Sequence, residues 1–199
     1  MSESALLLAT TNPGKVREIR RALAGLSVKV VGLADLPPGP SPREHGSTFL
    51  ENARLKSLFY SRKWDGLTLA EDSGLEIDAL GGAPGVRSAR FSSPRPTDGK
   101  NNRKALRLLA AVPAARRGAR FVCVMVLSRR GRVLKVIRGQ ARGRIAAEPH
   151  GANGFGYDPL FYYPPLRRTF AELGPEEKNA VSHRGRALRK LVRSLRASL

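Results

Sequence analysis

Two short segments in the last third of the chain combine residue types that a surface used only for packing would not need. The first is Gly154-Phe155-Gly156-Tyr157-Asp158, and the second, Lys178-Asn179-Ala180-Val181-Ser182-His183-Arg184, begins twenty residues after Asp158. Together they supply an aromatic ring, unobstructed backbone, a carboxylate, an ammonium and a guanidinium. A ring can stack on a base, and an arginine fork can bind paired acceptor oxygens. This mixture predicts a pocket for a nucleotide.

Within the first segment the two aromatic residues are predicted to take different roles. In extended backbone successive side chains alternate in direction, so one of Phe155 and Tyr157 can stack on a base while the other packs inward. In the second segment, Ser182-His183-Arg184 opens the last helix. N–H groups at that helix start, together with the arginine, can bind carbonyl oxygens of a base or phosphate.

A polar turn near the beginning of the chain has the features of a phosphate site. It comprises Thr10, Thr11, Asn12, Pro13, Gly14 and Lys15, between a predicted strand over residues 5–9 and a predicted helix over residues 16–26. Hydroxyls, a lysine and a helix N-terminus suit an anion. It is not a Walker A loop, because Ala9 and Val16 stand where that motif needs glycine and a hydroxyl residue. Taken alone, the turn is also compatible with an ordinary capped loop.

An acidic cluster, Glu71-Asp72-Ser73-Gly74-Leu75-Glu76-Ile77-Asp78, holds four of the chain's 16 acids. We expect a strand over residues 67–70 to deliver Glu71 and Asp72 at its end, with their side chains pointing to opposite sides. One carboxylate can then face a cleft while the other pairs with a neighbour or shares a metal, and carboxylates with water suit Mg²⁺. An acidic turn in solvent is the alternative.

A proline-rich loop and the helix after it add further candidates. Thr48 and Glu51 form a capping-box pattern at a helix start. Glu51 therefore has a structural explanation, whereas Lys56, five positions on, can reach a cleft. Glu44 lies in the preceding loop.

Other chemistries lack support in the sequence. The three histidines share no metal-ligand spacing, so a zinc site is not expected. Nucleophilic triad chemistry is not expected either, because no Gly-x-Ser-x-Gly elbow occurs. The single cysteine, Cys123, lies in an apolar run and is interpreted as a buried small hydrophobe in a protein of the reducing cytoplasm. The apolar run over residues 5–9 is too short for a signal peptide or membrane span, so no membrane association is expected.

The chain carries a net charge of +20, with 27 arginines and 9 lysines. Such a charge is compatible with phosphate-mediated binding of nucleic acid. However, the basic residues are scattered, and no zinc-finger spacing, RNP-like motif or basic zipper accompanies them. The favoured interpretation is a solvated arginine background with no specific nucleic-acid partner.

Alternating strand and helix patterns predict an α/β fold with a mixed sheet. Further strands are expected over residues 28–31, 120–128 and 132–144, the last two forming a hairpin that turns at residues 129–131, and residues 75–80 are expected to continue into a turn at residues 81–85. Further helices are expected over residues 48–64 and 100–111 and from Ser182 onward, and residues 36–47 are expected to form a loop. The whole chain, residues 1–199, is expected to be one domain of two lobes.

Five segments together resemble one family, the noncanonical purine nucleoside triphosphate pyrophosphatases, also called inosine triphosphate pyrophosphatases or XTP/dITP diphosphatases. They span residues 9–18, 48–53, 71–86, 154–159 and 176–184, in the order found in that family. The resemblance implies an elongated mixed sheet with flanking helices, two lobes around a central cleft, and a homodimer. It also implies Mg²⁺-dependent hydrolysis of ITP, dITP or XTP to the monophosphate and pyrophosphate.

Residue roles follow from the same resemblance. It implies that residues 10–15 and Lys56 hold the triphosphate, that Asp72 is the catalytic acid–base residue near the metal, and that Glu44 is a further metal ligand. It also implies substrate contact by Ser73 and a base and sugar site formed by Phe155, Gly156, Tyr157, Asp158, Lys178, His183 and Arg184. The chain departs from the family pattern at Glu71, where aspartate is common, and at Arg87, where tyrosine is common.

Two alternatives remain open at this point. The related Maf-like enzymes hydrolyse pyrimidine or modified nucleotides in a similar cleft. A nucleic-acid-binding protein with an inactive cleft would also explain the charge. Turnover of a panel of nucleoside triphosphates would separate the three possibilities.

Overall fold

Seven strands, five α-helices and six short 3₁₀ helices make up the regular structure of residues 4–197, the part of the chain that the computed structural model describes. The strands are β1 Ser4–Leu8, β2 Val28–Gly32, β3 Leu67–Ile77, β4 Gly118–Arg129, β5 Arg132–Ile145, β6 Phe161–Tyr163 and β7 Arg168–Thr169. The helices are α1 Pro13–Leu23, α2 Phe49–Ser61, α3 Asp98–Leu108, α4 Pro175–Val181 and α5 His183–Arg196. The predicted α/β class is confirmed.

All seven strands belong to one mixed sheet in the order β2-β1-β3-β4-β5-β6-β7. β1 pairs in parallel with β2 on one side and β3 on the other, because α1 and the segment containing α2 supply the long crossovers that parallel pairing needs. β5, β6 and β7 pair in antiparallel fashion. β4 and β5 are joined at Arg130 and Gly131, whose φ angles of 48° and 74° are those of a type I′ hairpin turn. The predicted hairpin is therefore confirmed.

The chain divides into two compact units, each with its own hydrophobic core. The first unit comprises the chain up to Asp72, residues 123–139 and the chain from Gly185, and the second comprises Ser73–Val122 and Gln140–Arg184. The core of the first unit includes Leu6, Leu8, Ile19, Leu69, Met125, Leu188 and Leu191. The core of the second includes Leu75, Ile77, Phe121, Phe161, Phe170 and Leu173. The unit boundary in β3 falls between two candidate site residues, Asp72 and Ser73.

Several predicted element bounds were wrong for identifiable reasons. α1 begins at Pro13 instead of residue 16, because Asn12 Oδ1 accepts a hydrogen bond from Lys15 N at 3.0 Å and proline suits the first helical position. It ends at Leu23, three residues before the predicted end. α3 likewise begins at Asp98, two residues early, because Thr97 caps it. The short elements β6, β7 and α4 were not predicted.

β3 corrects the predicted setting of the acidic pair. It is one strand of 11 residues, so Glu71 and Asp72 lie within it and not beyond its end. The expected opposite directions of the two side chains still follow from strand alternation.

The predicted capping box at α2 is confirmed. Thr48 Oγ1 accepts from Glu51 N at 3.1 Å, and Glu51 Oε2 accepts from Thr48 N at 3.2 Å. Hydrogen bonds from Ser47 and Thr48 lower the pKa of the Glu51 carboxyl. α2 ends at Ser61, before the predicted end at residue 64. The capping box thus fixes the start of α2, and the start determines the direction in which the side chains of Asn52 and Lys56 project.

No helix in residues 4–197 has the length and apolar character required to cross a membrane.

Candidate active site

Asp72 is the central carboxylate of the candidate residues in the first unit. It is 8% exposed, with Oδ1 3.5 Å from Lys56 Nζ and Oδ2 accepting from Asn52 Nδ2 at 3.2 Å. Burial raises the pKa of Asp72, and the ammonium groups of Lys56 and Lys15 only partly oppose that rise. Desolvation of this carboxylate is therefore not fully offset by its neighbours, and a further cation close to Asp72 would be stabilised.

Lys56 lies between two carboxylates. Its Nζ is 2.9 Å from Glu44 Oε2 in addition to its contact with Asp72, and only 12% of its side chain is exposed. The charge of Glu44 also contributes to the raised pKa of Asp72. The structure thus brings together Asp72, Glu44 and Lys56, the two predicted metal ligands and a predicted triphosphate ligand.

The chemistry of this cluster fits a magnesium ion. Within residues 4–197 no group of three or more histidine, cysteine, aspartate or glutamate residues is placed to hold a metal. Mg²⁺, however, is usually bound by one or two carboxylates together with water and substrate phosphates. Asp72 and Glu44 meet that requirement.

Asn52 is a functional candidate to which the sequence assigned no role. Its side chain is fully buried, and Oδ1 accepts from Gly46 N at 2.8 Å while Nδ2 reaches Asp72. Asn52 therefore ties the loop before α2 to the candidate catalytic carboxylate and orients it. Its spacing of four residues from Lys56 places both on one helix face, and that was the available signal.

Glu71 and Asp72 contact different partners, as predicted for adjacent carboxylates. Glu71 is 1% exposed, and its Oε1 lies 3.2 Å from Lys15 Nζ. Its Oε2 is 3.8 Å from the sulfur of Cys123, whose predicted burial is confirmed. Glu71 thus fixes Lys15 at the start of α1. The glutamate, which is longer than the aspartate common in the family at this position, is accommodated by these contacts.

The polar turn places exposed groups at a helix N-terminus. Thr11, Asn12 and Pro13 are exposed, and Gly14 is buried. Thr10 Oγ1 accepts from Asn12 N at 3.2 Å, which stabilises the turn. Because the N-terminal end of α1 carries partial positive charge, the turn and Lys15 together favour an anion.

In the second unit, Asp158 organises the glycine-aromatic loop. Asp158 is 2% exposed, and its Oδ2 accepts from Phe155 N at 2.8 Å and from Lys178 Nζ at 2.6 Å. Gly154 has φ 79°, and a side chain there would also collide with the Asp158 carboxylate. The predicted site residues Asp158 and Lys178 are thus held together as a buried ion pair.

The two aromatic residues of this loop differ in burial, but not for the predicted reason, because residues 154–158 form bends and turns instead of extended backbone. Tyr157 is 4% exposed and its hydroxyl donates to Ser88 O at 2.9 Å, so it is the inward-packing ring. Burial raises the pKa of Tyr157 well above its usual range. Phe155 is half-buried, with Lys178 Nζ 4.8 Å and Arg184 Cζ 5.4 Å from its ring centroid. Phe155 is therefore the more accessible of the two rings.

His183 and Arg184 are buried where α5 begins. The His183 ring is 4% exposed and stacks on Phe121 with centroids 4.6 Å apart. Arg184 is 2% exposed, and its Nη2 donates to Ser73 Oγ at 3.0 Å. The structure therefore brings Ser73, Phe155, Asp158, Lys178 and Arg184 into one connected group.

α3 contributes two residues that sequence reasoning missed. Asp98 Oδ2 accepts from Gly156 N at 2.7 Å, and Asn102 Nδ2 donates to Gly156 O at 3.1 Å. They are four residues apart, so they share one helix face. Both backbone polar groups of Gly156 are thus held by α3, although no motif linked Asp98 and Asn102 to a residue 58 and 54 positions later.

Fold and site together define an α/β nucleotide-hydrolase type of protein, and comparison with known sequences identifies its family. Residues 6–194 match the model of the Ham1 family. The chain is 48% identical over 186 residues to the dITP/XTP pyrophosphatase of Geobacillus kaustophilus (strain HTA426), covering 94% of this chain and 91% of that protein. It is 49% identical over 189 residues to the dITP/XTP pyrophosphatase of Gloeobacter violaceus (strain ATCC 29082 / PCC 7421), covering 94% and 92%.

Comparison with solved structures gives the same family. A HAM1 protein from Coxiella burnetii superimposes with a TM-score of 0.89 at 41% identity, covering 98% of this chain and 99% of that one. The nucleoside-triphosphatase / dITP/XTP pyrophosphatase from Mycobacterium abscessus (ATCC 19977 / DSM 44196) gives a TM-score of 0.75 at 43% identity, covering 94% and 97%. This chain belongs to the Ham1 family, and the predicted resemblance is confirmed.

Proposed function

We propose that this protein hydrolyses the purine nucleoside triphosphates ITP, dITP and XTP to the nucleoside monophosphate and pyrophosphate, removing them from the nucleotide pool. Identity of 48% over nearly the whole chain to a relative named dITP/XTP pyrophosphatase supports the substrate class. The observation that carries the chemistry is the buried Asp72 carboxylate, held by Lys56 and Asn52, whose desolvation its neighbours do not fully offset.

The first unit binds the triphosphate in this proposal. Thr10, Thr11 and Lys15 bind phosphate oxygens at the N-terminus of α1, with Asn12, Pro13 and Gly14 shaping that end of the helix. Lys56 supplies a second ammonium beside Asp72. Asp72 and Glu44 would hold Mg²⁺, which would supply charge neutralisation for the polyphosphate.

Hydrolysis requires water to be deprotonated as its oxygen attacks the α-phosphorus. The bond from that phosphorus to the bridging oxygen then breaks, and pyrophosphate leaves. A carboxylate with a raised pKa is a better proton acceptor than an ordinary aspartate. Asp72 either accepts the water's proton or acts chiefly as a metal ligand, and the dependence of the rate on pH distinguishes the two roles.

The second unit binds the base and sugar. Phe155 stacks on the purine, and Ser73, Gly156, Tyr157, Asp158, Lys178, His183 and Arg184 form or support the surrounding wall. Donors from His183, Arg184 and backbone N–H groups bind the 6-keto oxygen. A 6-amino group would set donor against donor and leave buried groups unpaired, which disfavours ATP.

The proposal extends to the protein's setting. We infer that the chain acts as one domain whose two units are its lobes, that it is a homodimer, and that it works in the cytoplasm on a small-molecule substrate. The lone, buried Cys123 is compatible with a reducing compartment. Equilibrium sedimentation tests the dimer.

Product analysis tests the central claim. Each of ITP, dITP, XTP, ATP, GTP and one pyrimidine triphosphate is incubated with the protein, with and without Mg²⁺, and the products are separated by chromatography. We expect monophosphate and pyrophosphate from the 6-keto purines ITP, dITP and XTP, only when Mg²⁺ is present. Release of inosine diphosphate and orthophosphate would contradict the cleavage site, and preferential pyrimidine turnover would favour a Maf-like activity.

A further inference from the structure

One face of α3 carries a continuous stripe of positive charge. Lys100, Arg103, Lys104 and Arg107 follow the spacing i, i+3, i+4 and i+7, which places them on the same side of the helix. The opposite side is used for packing, since Asn101, Asn102 and Ala105 are buried. Like charges one turn apart repel and destabilise a helix. The stripe therefore opposes the stability of α3 and calls for another explanation.

The stripe forms one side of a groove. Its four cations, with Ser92 and Ser93, line a cavity of about 490 Å³. Lys104 Nζ donates to Phe91 O at 2.6 Å, and Lys100 Nζ donates to Arg95 O at 3.1 Å. Both lysines are thus positioned by neutral carbonyl groups, so their positive charges are not neutralised by these contacts.

The surrounding sequence strengthens the field of the groove. Residues 87–107 contain seven cations and one acid, Asp98. Asp98 points to the other side of α3, where its carboxylate accepts from Gly156 N. In addition, Ser92, which also lines the groove, has a buried Oγ with no hydrogen-bond partner among the described residues.

We propose that this groove binds the phosphodiester backbone of nucleic acid without reading its sequence. At about 1.5 Å per residue the stripe is about 10 Å long. This length matches about three phosphates of one strand, at about 3.4 Å of helix axis each. The net charge of +20 adds long-range attraction for such a polyanion.

The test compares two triple variants with equal charge. Lys100→Gln/Arg103→Gln/Arg107→Gln removes three cations of the groove, and Arg132→Gln/Arg138→Gln/Arg142→Gln removes three exposed arginines of β5. Binding to a labelled 20-base-pair DNA of random sequence is measured by fluorescence anisotropy between 50 and 200 mM salt. For the groove variant, we expect the negative slope of log K against log salt to become less steep by about 2.7. Each lost phosphate contact reduces the magnitude of the slope by about 0.9.

The β5 variant should keep most of the slope and affinity. Equal losses in the two variants would show that affinity comes from diffuse charge and would overturn the site. Unchanged binding by the groove variant would overturn it as well. Melting curves confirm that each variant is folded. Turnover of dITP should stay unchanged in both variants, so a failed test of nucleic-acid binding can be told apart from a failure of the proposed hydrolysis. A third variant, Lys100→Arg/Arg103→Lys/Arg107→Lys, keeps the three positive charges and should bind the DNA with the wild-type affinity and salt dependence.

Discussion

The two groups of candidate residues differ in how far the protein satisfies their charges. In the first unit Asp72 is buried, its pKa is raised by desolvation, and Lys56 is shared between Asp72 and Glu44. In the second unit Lys178 lies 2.6 Å from the Asp158 carboxylate, and Arg184 donates to Ser73. Asp72 is thus incompletely compensated by its neighbours, whereas Asp158 and Lys178 form a direct buried ion pair and Arg184 is hydrogen-bonded to Ser73.

This difference indicates a division of labour. An incompletely compensated carboxylate gains from a bound cation or proton, which suits a group that takes part in chemistry. A network of satisfied polar contacts holds its members in place before a ligand arrives, which suits recognition by shape and hydrogen bonding. Changes in the first group should therefore mainly affect kcat, and changes in the second should mainly affect substrate choice and KM.

The largest effect is expected from Asp72→Asn. Loss of a general base or metal ligand typically lowers the rate by about 10²–10⁴, so dITP hydrolysis should nearly vanish. The same change should slightly raise thermal stability at neutral pH. The pKa of Asp72 is raised in the folded state, so this residue contributes most to stability at low pH and loses that contribution as pH rises through the folded-state pKa. At neutral pH the buried carboxylate is charged and costs stability. Asparagine carries no charge and avoids that cost.

Asp65→Asn is the matched control for that experiment, because the Asp65 side chain is fully exposed. Its activity and melting temperature should both equal those of the wild type. Activity of Asp72→Asn within a few-fold of wild type would remove Asp72 from the mechanism.

Selectivity should respond to the second group. We expect the wild type to prefer ITP or XTP to ATP by at least about two orders of magnitude in kcat/KM, because a site built to bond a substrate group rejects analogues lacking it by up to about 10⁴–10⁵. Arg184→Ala should lower kcat/KM for ITP far more than for ATP. Phe155→Ala should weaken both by similar factors, since stacking is blind to base identity. If the Arg184 variant keeps the full preference, the arginine is structural.

The pH dependence of kcat/KM sharpens the comparison through two changes of opposite sign. The charge of Lys56 lowers the pKa of Asp72 and that of Glu44 raises it. If Asp72 is the base, Lys56→Gln should shift the acidic limb of the profile to higher pH, and Glu44→Gln should shift it to lower pH. Both variants can also change the maximal rate, but the test depends only on the position of the acidic limb. If that limb does not move in either variant, Asp72 acts chiefly as a metal ligand.

Residue patterns predicted the local parts of this structure well. The Thr48–Glu51 capping box and the hairpin turn depend on interactions within a few residues, and both are found. Element bounds failed where a cap decided them, since Asn12 starts α1 three residues early. The acidic pair was placed after a strand because its polar residues resemble a turn. Burial of both carboxylates instead lets β3 continue through them.

Long-range partners were not predictable from the sequence. Asp72, Lys15 and Lys56 were candidates from their residue types, but only the family resemblance assigned them to one substrate site. The contacts of Asn52 with Asp72, and of Asp98 and Asn102 with Gly156, join residues 20 to 58 positions apart. Such pairs depend on how strands and helices pack, and no periodicity reports them.

The smallest effect is expected where α3 supports the recognition loop. Asp98→Ala and Asn102→Ala each remove one hydrogen bond to Gly156, so we expect a loss of about 1 kcal/mol of stability. The loop would then hold Phe155 less firmly, raising KM for dITP a few-fold with little change in kcat. Arg103→Gln, on the opposite face of α3, is the control and should leave both constants unchanged. A fall in kcat with unchanged KM in the Asp98 variant would contradict the division of labour, because it would mean that the second group also sets the rate of the chemical step.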